Sequence, residues 1–153
     1  MKFSVSVIGA TVLADAIDGI ADKLGGKEGD KALLKGAKVI EEFAKENVER
    51  MGAVDTGFLR ESVYSATEKE SGYDAARSAA SVRNRQARME SEVKPDDGEA
   101  VVVAGAEHAK YVEHGTGRMA ARPFMRQAID KGRKKATKAV ADGVSDIVRK
   151  ELR

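Results

Sequence analysis

The chain has 153 residues, with 27 Lys+Arg against 25 Asp+Glu and a formal net charge of +2. That length suits a single domain over 1–153 with a real hydrophobic core, and the balanced charge argues against a dedicated nucleic-acid binder, which needs a cationic excess to displace counterions from phosphates. The lack of Cys excludes disulfides, Cys-based zinc sites and thiol nucleophiles, and no apolar run approaches the roughly 20 residues of a membrane helix.

The opening, Met1-Lys2-Phe3-Ser4-Val5-Ser6-Val7, has too short an apolar run for a signal peptide. Residues 3–8 alternate, Phe3, Val5 and Val7 against Ser4 and Ser6, which predicts a half-buried strand. From Thr11 to Leu24 the apolar positions Leu13, Ala16, Ile17, Ile20 and Leu24 are spaced for a helix that Gly25-Gly26 stops. A second amphipathic helix is predicted from about Asp30 to Met51. Leu33, Ala37, Ile40, Ala44 and Val48 form its apolar stripe, and Lys38, Glu41, Glu42, Lys45 and Glu49 its polar face. Asp30 is placed to cap it, because a short carboxylate accepts an orphaned first-turn amide.

Gly52 ends that helix, and Asp55-Thr56-Gly57 reads as a turn in which Gly57 is free to adopt positive φ. Leu59–Ala66 is read as a strand. Residues 68–98 hold little large apolar content, and Lys94-Pro95-Asp96-Asp97-Gly98 is a strong turn signal. This segment is expected to be a long excursion between two strands, a mobile loop or a marginal helix. Glu99–Gly105, centred on Val101-Val102-Val103, is the clearest strand, and its continuous apolar run predicts burial on both faces. Glu107–His114 is a short helical turn closed by Gly115. After the loop 115–122, Pro123 opens a final helix to about Leu152, with Phe124, Ala128, Ile129, Ala136, Val140, Val144, Ile147 and Val148 as its stripe. The expected fold is α+β: a small, mostly antiparallel sheet packed by two helices from the N-terminal half and a long C-terminal helix.

Chemical constellations are weak. Asp55-Thr56-Gly57 is the triplet of aspartic proteases, whose chemistry needs two such aspartates sharing a proton; here it follows an amphipathic helix, and a plain turn is the better reading. His108 and His114 lie six apart, off the spacing that puts two ligands on one helical face, so surface histidines outweigh a metal hydrolase using Glu107 and Glu113. Gly115-Thr116-Gly117 lacks the Lys and direct helix entry of a phosphate loop and reads as a chain reversal. No cofactor is expected. Lys131, Arg133, Lys134, Lys135 and Lys138 make the first half of the last helix basic, a solvated face or a surface for non-specific DNA or an acidic partner.

Two segments together carry a resemblance. The first is Val54-Asp55-Thr56-Gly57-Phe58-Leu59-Arg60-Glu61-Ser62-Val63. The second is Ala109-Lys110-Tyr111-Val112-Glu113-His114-Gly115-Thr116, continued by Met119-Ala120-Ala121-Arg122-Pro123-Phe124-Met125-Arg126-Gln127-Ala128. The pattern resembles the tail-component family of long-tailed lambdoid phages, also called neck or tail-completion proteins. Their members show Thr-Gly-x-Leu-Arg-x-Ser after a long helix, then Tyr-Ala-x-x-Val-Glu-x-Gly-Thr, Arg-Pro-Phe and a long C-terminal helix. This chain departs from the pattern at Lys110, which alters the Tyr-Ala order, at Gln127, where a second Pro is common, and at Ala53, where a Pro usually stands.

The resemblance implies a non-enzymatic virion protein, made in host cytoplasm and built into the tail or neck. Its implied partners are copies of itself in a ring, sixfold by the symmetry of tails and connectors, together with head–tail connector or tail-tube proteins. Thr56, Gly57, Leu59, Arg60, Tyr111, Val112, Glu113, Gly115, Thr116, Arg122, Pro123 and Phe124 are then read as fold-signature and assembly residues. Thr56 and Gly57 fix a reversal, Tyr111 and Val112 pack onto the core, Glu113 pairs with Arg60 or Arg122, and Arg122-Pro123-Phe124 sets the entry of the last helix.

Overall fold

The structure, a computed structural model, describes residues 10–52 and 57–153. The predicted strand at 3–8 and the residues Asp55 and Thr56 lie outside the described residues. The elements in chain order are α1 (Ala10–Leu24), α2 (Lys27–Arg50), α3 (Gly57–Glu61), β1 (Val63–Thr67), α4 (Tyr73–Arg83), β2 (Ala100–Ala104), α5 (Ala109–His114) and α6 (Phe124–Glu151). The class is α+β and mostly helical, with β1 and β2 paired antiparallel, Val63 opposite Ala104 and Thr67 opposite Ala100.

The backbone of the fold is an antiparallel pair of long helices, α2 and α6. Their stripes approach closely because small residues face each other. A Cβ on Gly143 would lie 2.8 Å from the Ala32 Cβ, one on Gly132 would lie 2.7 Å from the Ile40 Cδ1, and one on Gly36 would lie 2.5 Å from the Val140 Cγ2. At the far end, Lys23 of α1 pairs with Glu151 of α6. The main core forms where α2, α3, β1, α5 and α6 meet, around Ala44, Val48, Phe58, Leu59, Val63, Phe124 and Ala128. A smaller cluster of Tyr64, Ala66 and Ala76 lies under α4 on the other face of the sheet.

Several local expectations are revised. Asp30 does not cap α2, which starts a turn earlier at Lys27 after Gly26. Instead the buried Asp30 carboxylate accepts the backbone N–H of Lys69 at 3.1 Å, tying the turn after β1 to the start of α2. Leu59 belongs to a helical turn rather than a strand, and β1 begins only at Val63. Positive φ is found at Gly52 rather than Gly57. The excursion between β1 and β2 carries α4, whose Ala76 and Ala80 are buried. Burial on both faces belongs to β1, where all five residues are buried, whereas all five of β2 are half-buried. The reason is lateral. Beyond β1 the chain folds back, with Gly72 N–H donating to Ser65 O and Thr67 N–H to Glu70 O. Among the described residues no strand lies beyond β2.

Candidate assembly surface

The two sequence motifs meet at one corner. In the first, Phe58 and Leu59 are buried, and Ser62 closes α3 by donating its hydroxyl to Leu59 O at 2.8 Å. The same hydroxyl accepts Ala106 N–H at 3.1 Å, and Ser62 O accepts Gly105 N–H at 3.0 Å. One buried serine thus joins the end of α3 to the end of β2, and each of its polar groups has a partner, as burial requires. Arg60 turns outward, its guanidinium 2.5 Å from Glu49 on α2 and 2.6 Å from Glu61.

In the second motif, α5 ends at Gly115, whose φ is 74°. A side chain there would also meet Ala121 N at 2.6 Å and Met119 O at 2.7 Å, so glycine is required twice over. Thr116 and Met119 then close a tight turn through reciprocal backbone bonds of 2.8 and 3.2 Å. The chain returns so that Arg122 N–H donates to Val112 O at 2.7 Å. Pro123 precedes α6, and Phe124 enters the core fully buried.

Glu113 does not pair with Arg60 or Arg122. Its carboxylate accepts the N–H groups of Met125 at 2.9 Å and Arg126 at 3.1 Å, the orphan donors of the first turn of α6. A negative charge at a helix N-terminus is favoured by the aligned peptide dipoles as well as by the bonds. Asn47, buried on the apolar side of α2, completes the joint by donating to Phe124 O at 3.0 Å. The sequence carries a signal for this, an amide between Ala44 and Val48 on a greasy stripe, but nothing in it names the partner.

Tyr111 is not packed inward. It is 49% exposed, with the Lys110 ammonium 5.2 Å from its ring centre, whereas Val112 does pack against the main core. Tyr111, Met119 and Ile129 are large apolar side chains left in water around this corner. Beside it, an apolar groove runs between Ala104 and Ala109 on one wall and Met125 and Ile129 on the other. Lys131, Arg133, Lys134, Lys135 and Lys138 of α6 are all exposed. Lys131, Lys134, Lys135 and Lys138 share a face at helical spacing, with Lys135 over the Phe43 ring and Lys138 paired with Asp142, while Arg133 points elsewhere.

The histidines differ in environment. His108 is half-buried 6.2 Å from the Phe58 ring, its Nε2 has no hydrogen-bond partner among the described residues, and burial lowers its pKa below the ordinary value. His114 is exposed. Among the described residues no group of three or more His, Asp or Glu side chains converges as metal ligands would, and Glu113 is already committed to α6.

The fold and this corner define an α+β building block whose signature residues fasten elements to one another. Residues 12–115 match the family model described as "Bacteriophage HK97-gp10, putative tail-component", and the chain belongs to that family. It is therefore a structural tail protein of a bacteriophage, working among other virion proteins. The match ends at Gly115, so the Glu113 contact to α6 reaches into a part of the chain beyond it. No curated protein and no solved structure matches the chain.

Proposed function

We propose that the protein is a tail-completion or head–tail joining subunit that acts by closing into a ring, with six copies the natural expectation for tail symmetry. The observation that carries this reading is the corner itself. Glu113, Asn47, Ser62 and Phe124 spend their polar and apolar capacity on holding α2, α3, α5 and α6 in fixed relation, while Tyr111, Met119 and Ile129 remain outside. Rigid internal joints with apolar side chains left in water suit a part whose remaining surface is completed by neighbours. Ring closure needs two different patches on each subunit, related by the correct rotation. Partners are then copies of this chain, connector proteins and tail-tube proteins.

Light scattering of the purified protein, alone and with connector or tail-tube particles, tests this reading. A discrete ring in either setting is expected. A strict monomer in both, together with absence from purified virions, would overturn it.

The exposed basic face of α6 favours a second, subsidiary reading: non-specific contact with DNA passing through the joint. Binding to unrelated duplexes should then fall steeply with salt. Charge reversal at Lys131, Lys134 and Lys135 should abolish it.

A further inference from the structure

The outer edge of β2 has no pairing partner among the described residues. Gly105 N–H donates to Ser62 O across the register, while Ser65 O and Thr67 N–H on β1 are taken by Gly72 and Glu70 on the far side. In an antiparallel ladder these alternate, so the residues of β2 whose N–H and C=O point away from β1 are Ala100, Val102 and Ala104. The edge they form, Ala100-Val101-Val102-Val103-Ala104, carries no charge, no proline and no bulge, the devices by which proteins guard an open strand. The same three residues lie beside Met125 and Ile129 of α6. Ile129 is 43% exposed there. Next to that edge, therefore, is an apolar surface formed by Met125 and Ile129.

One segment of the chain matches both features. Residues 3–8 alternate apolar Phe3, Val5 and Val7 with polar Ser4 and Ser6. Laid along β2, such a segment satisfies the outward amides and carbonyls, sets its apolar side chains on Met125 and Ile129, and turns its serines away. We propose that residues 3–8 of one copy add as a strand to the β2 edge of the next copy. The inference rests on the ring reading and names its contact. Head-to-tail closure joins one patch of each subunit to a different patch of the next, and a donated segment and an open edge are such a pair.

The chain has no cysteine, so an introduced pair reports without background. The full-length Val5→Cys, Val102→Cys double variant is oxidised and run without reductant, and its native mass is measured in parallel. Covalent multimers extending to the ring size, with neither single variant giving more than a dimer, are expected. A disulfide formed only within one chain would overturn the inference, and so would an intact ring with no cross-link from Val5→Cys or a companion Val7→Cys variant. Either result would leave the ring reading standing, whereas a particle that never exceeds a monomer would remove both. A second arm avoids the folded body. The full-length Ser4→Pro, Ser6→Pro double variant cannot donate a regular strand. It should keep the wild-type melting temperature and lose ring assembly at least tenfold in midpoint concentration. Unchanged assembly would overturn the proposal.

Discussion

Glu113 and Met125, twelve residues apart, are joined by a 2.9 Å bond from the Met125 amide to the Glu113 carboxylate, and the adjoining Arg126 amide shares that carboxylate at 3.1 Å. The last residues of α5 thereby act as the N-cap of α6, in place of a capping side chain at Pro123 itself. Replacing Glu113 by Ala should cost about 1–2 kcal/mol, the usual range for loss of a capping acceptor and its charge. Replacement by Gln, which keeps one acceptor oxygen, should cost about half as much. Thermal denaturation of the two variants checks the order; equal melting points for Ala, Gln and wild type would remove the capping role.

Asn47→Leu and Asn47→Ala separate the hydrogen bond from its packing. Both variants lose the donor to Phe124 O, at about 0.5–1.5 kcal/mol. Ala also leaves a void beside the buried Phe124, so it should be the less stable of the two by about a further 1 kcal/mol. Urea denaturation midpoints measure the difference.

Gly143→Ala and Gly19→Ala should have opposite signs. Both gain about 1 kcal/mol of helix propensity. At Gly143 the new methyl would meet the Ala32 Cβ at 2.8 Å and its Cα at 3.1 Å, atoms fixed to the backbone of α2, and the overpacking should exceed the gain. At Gly19 the methyl would meet only the carboxylate end of Glu151, which can rotate away. Melting temperatures should fall for the first and hold or rise for the second.

His108 makes stability pH-dependent. Burial lowers its folded pKa below the 6.5 of a free histidine, so the unfolded chain binds the proton more readily. Stability contributed by neutral His108 is therefore fully present above 6.5 and is lost as pH falls from there through the lowered folded value. Melting temperature should drop as pH falls below 6.5. His108→Asn should flatten that slope, and an unaltered slope would show that other groups control it.

Much of the architecture was legible in the residues. The stripe Leu33–Val48 and the stripe Phe124–Val148 each have helical period, and both became helices because a sustained apolar face must be buried against another. The β-branched run Val101–Val103 became a strand. Where reading failed, a competing local force was involved. Leu59 looked like the start of a strand because Val63 follows it closely, yet Ser62 bonding back to Leu59 O closes a helical turn first. The segment 68–98 held too few large apolar residues to declare a helix, and α4 is held through small ones, Ala76 and Ala80.

Sequence by itself determined the family, through Leu59-Arg60-Glu61-Ser62 and Val112-Glu113-His114-Gly115-Thr116, the class α+β, and the exclusion of thiol chemistry. Those depend on residue type and short spacing, which the chain states directly. Only the tertiary structure decided what the motif residues do, that Glu113 serves the α6 amides rather than an arginine and that Tyr111 faces water, and that among the described residues β2 rather than β1 is the open edge. Each of these is fixed by which surfaces meet after α2 and α6 pack. Partner choice for a carboxylate or a strand edge depends on distance in space, and distance in space is not encoded by any local pattern.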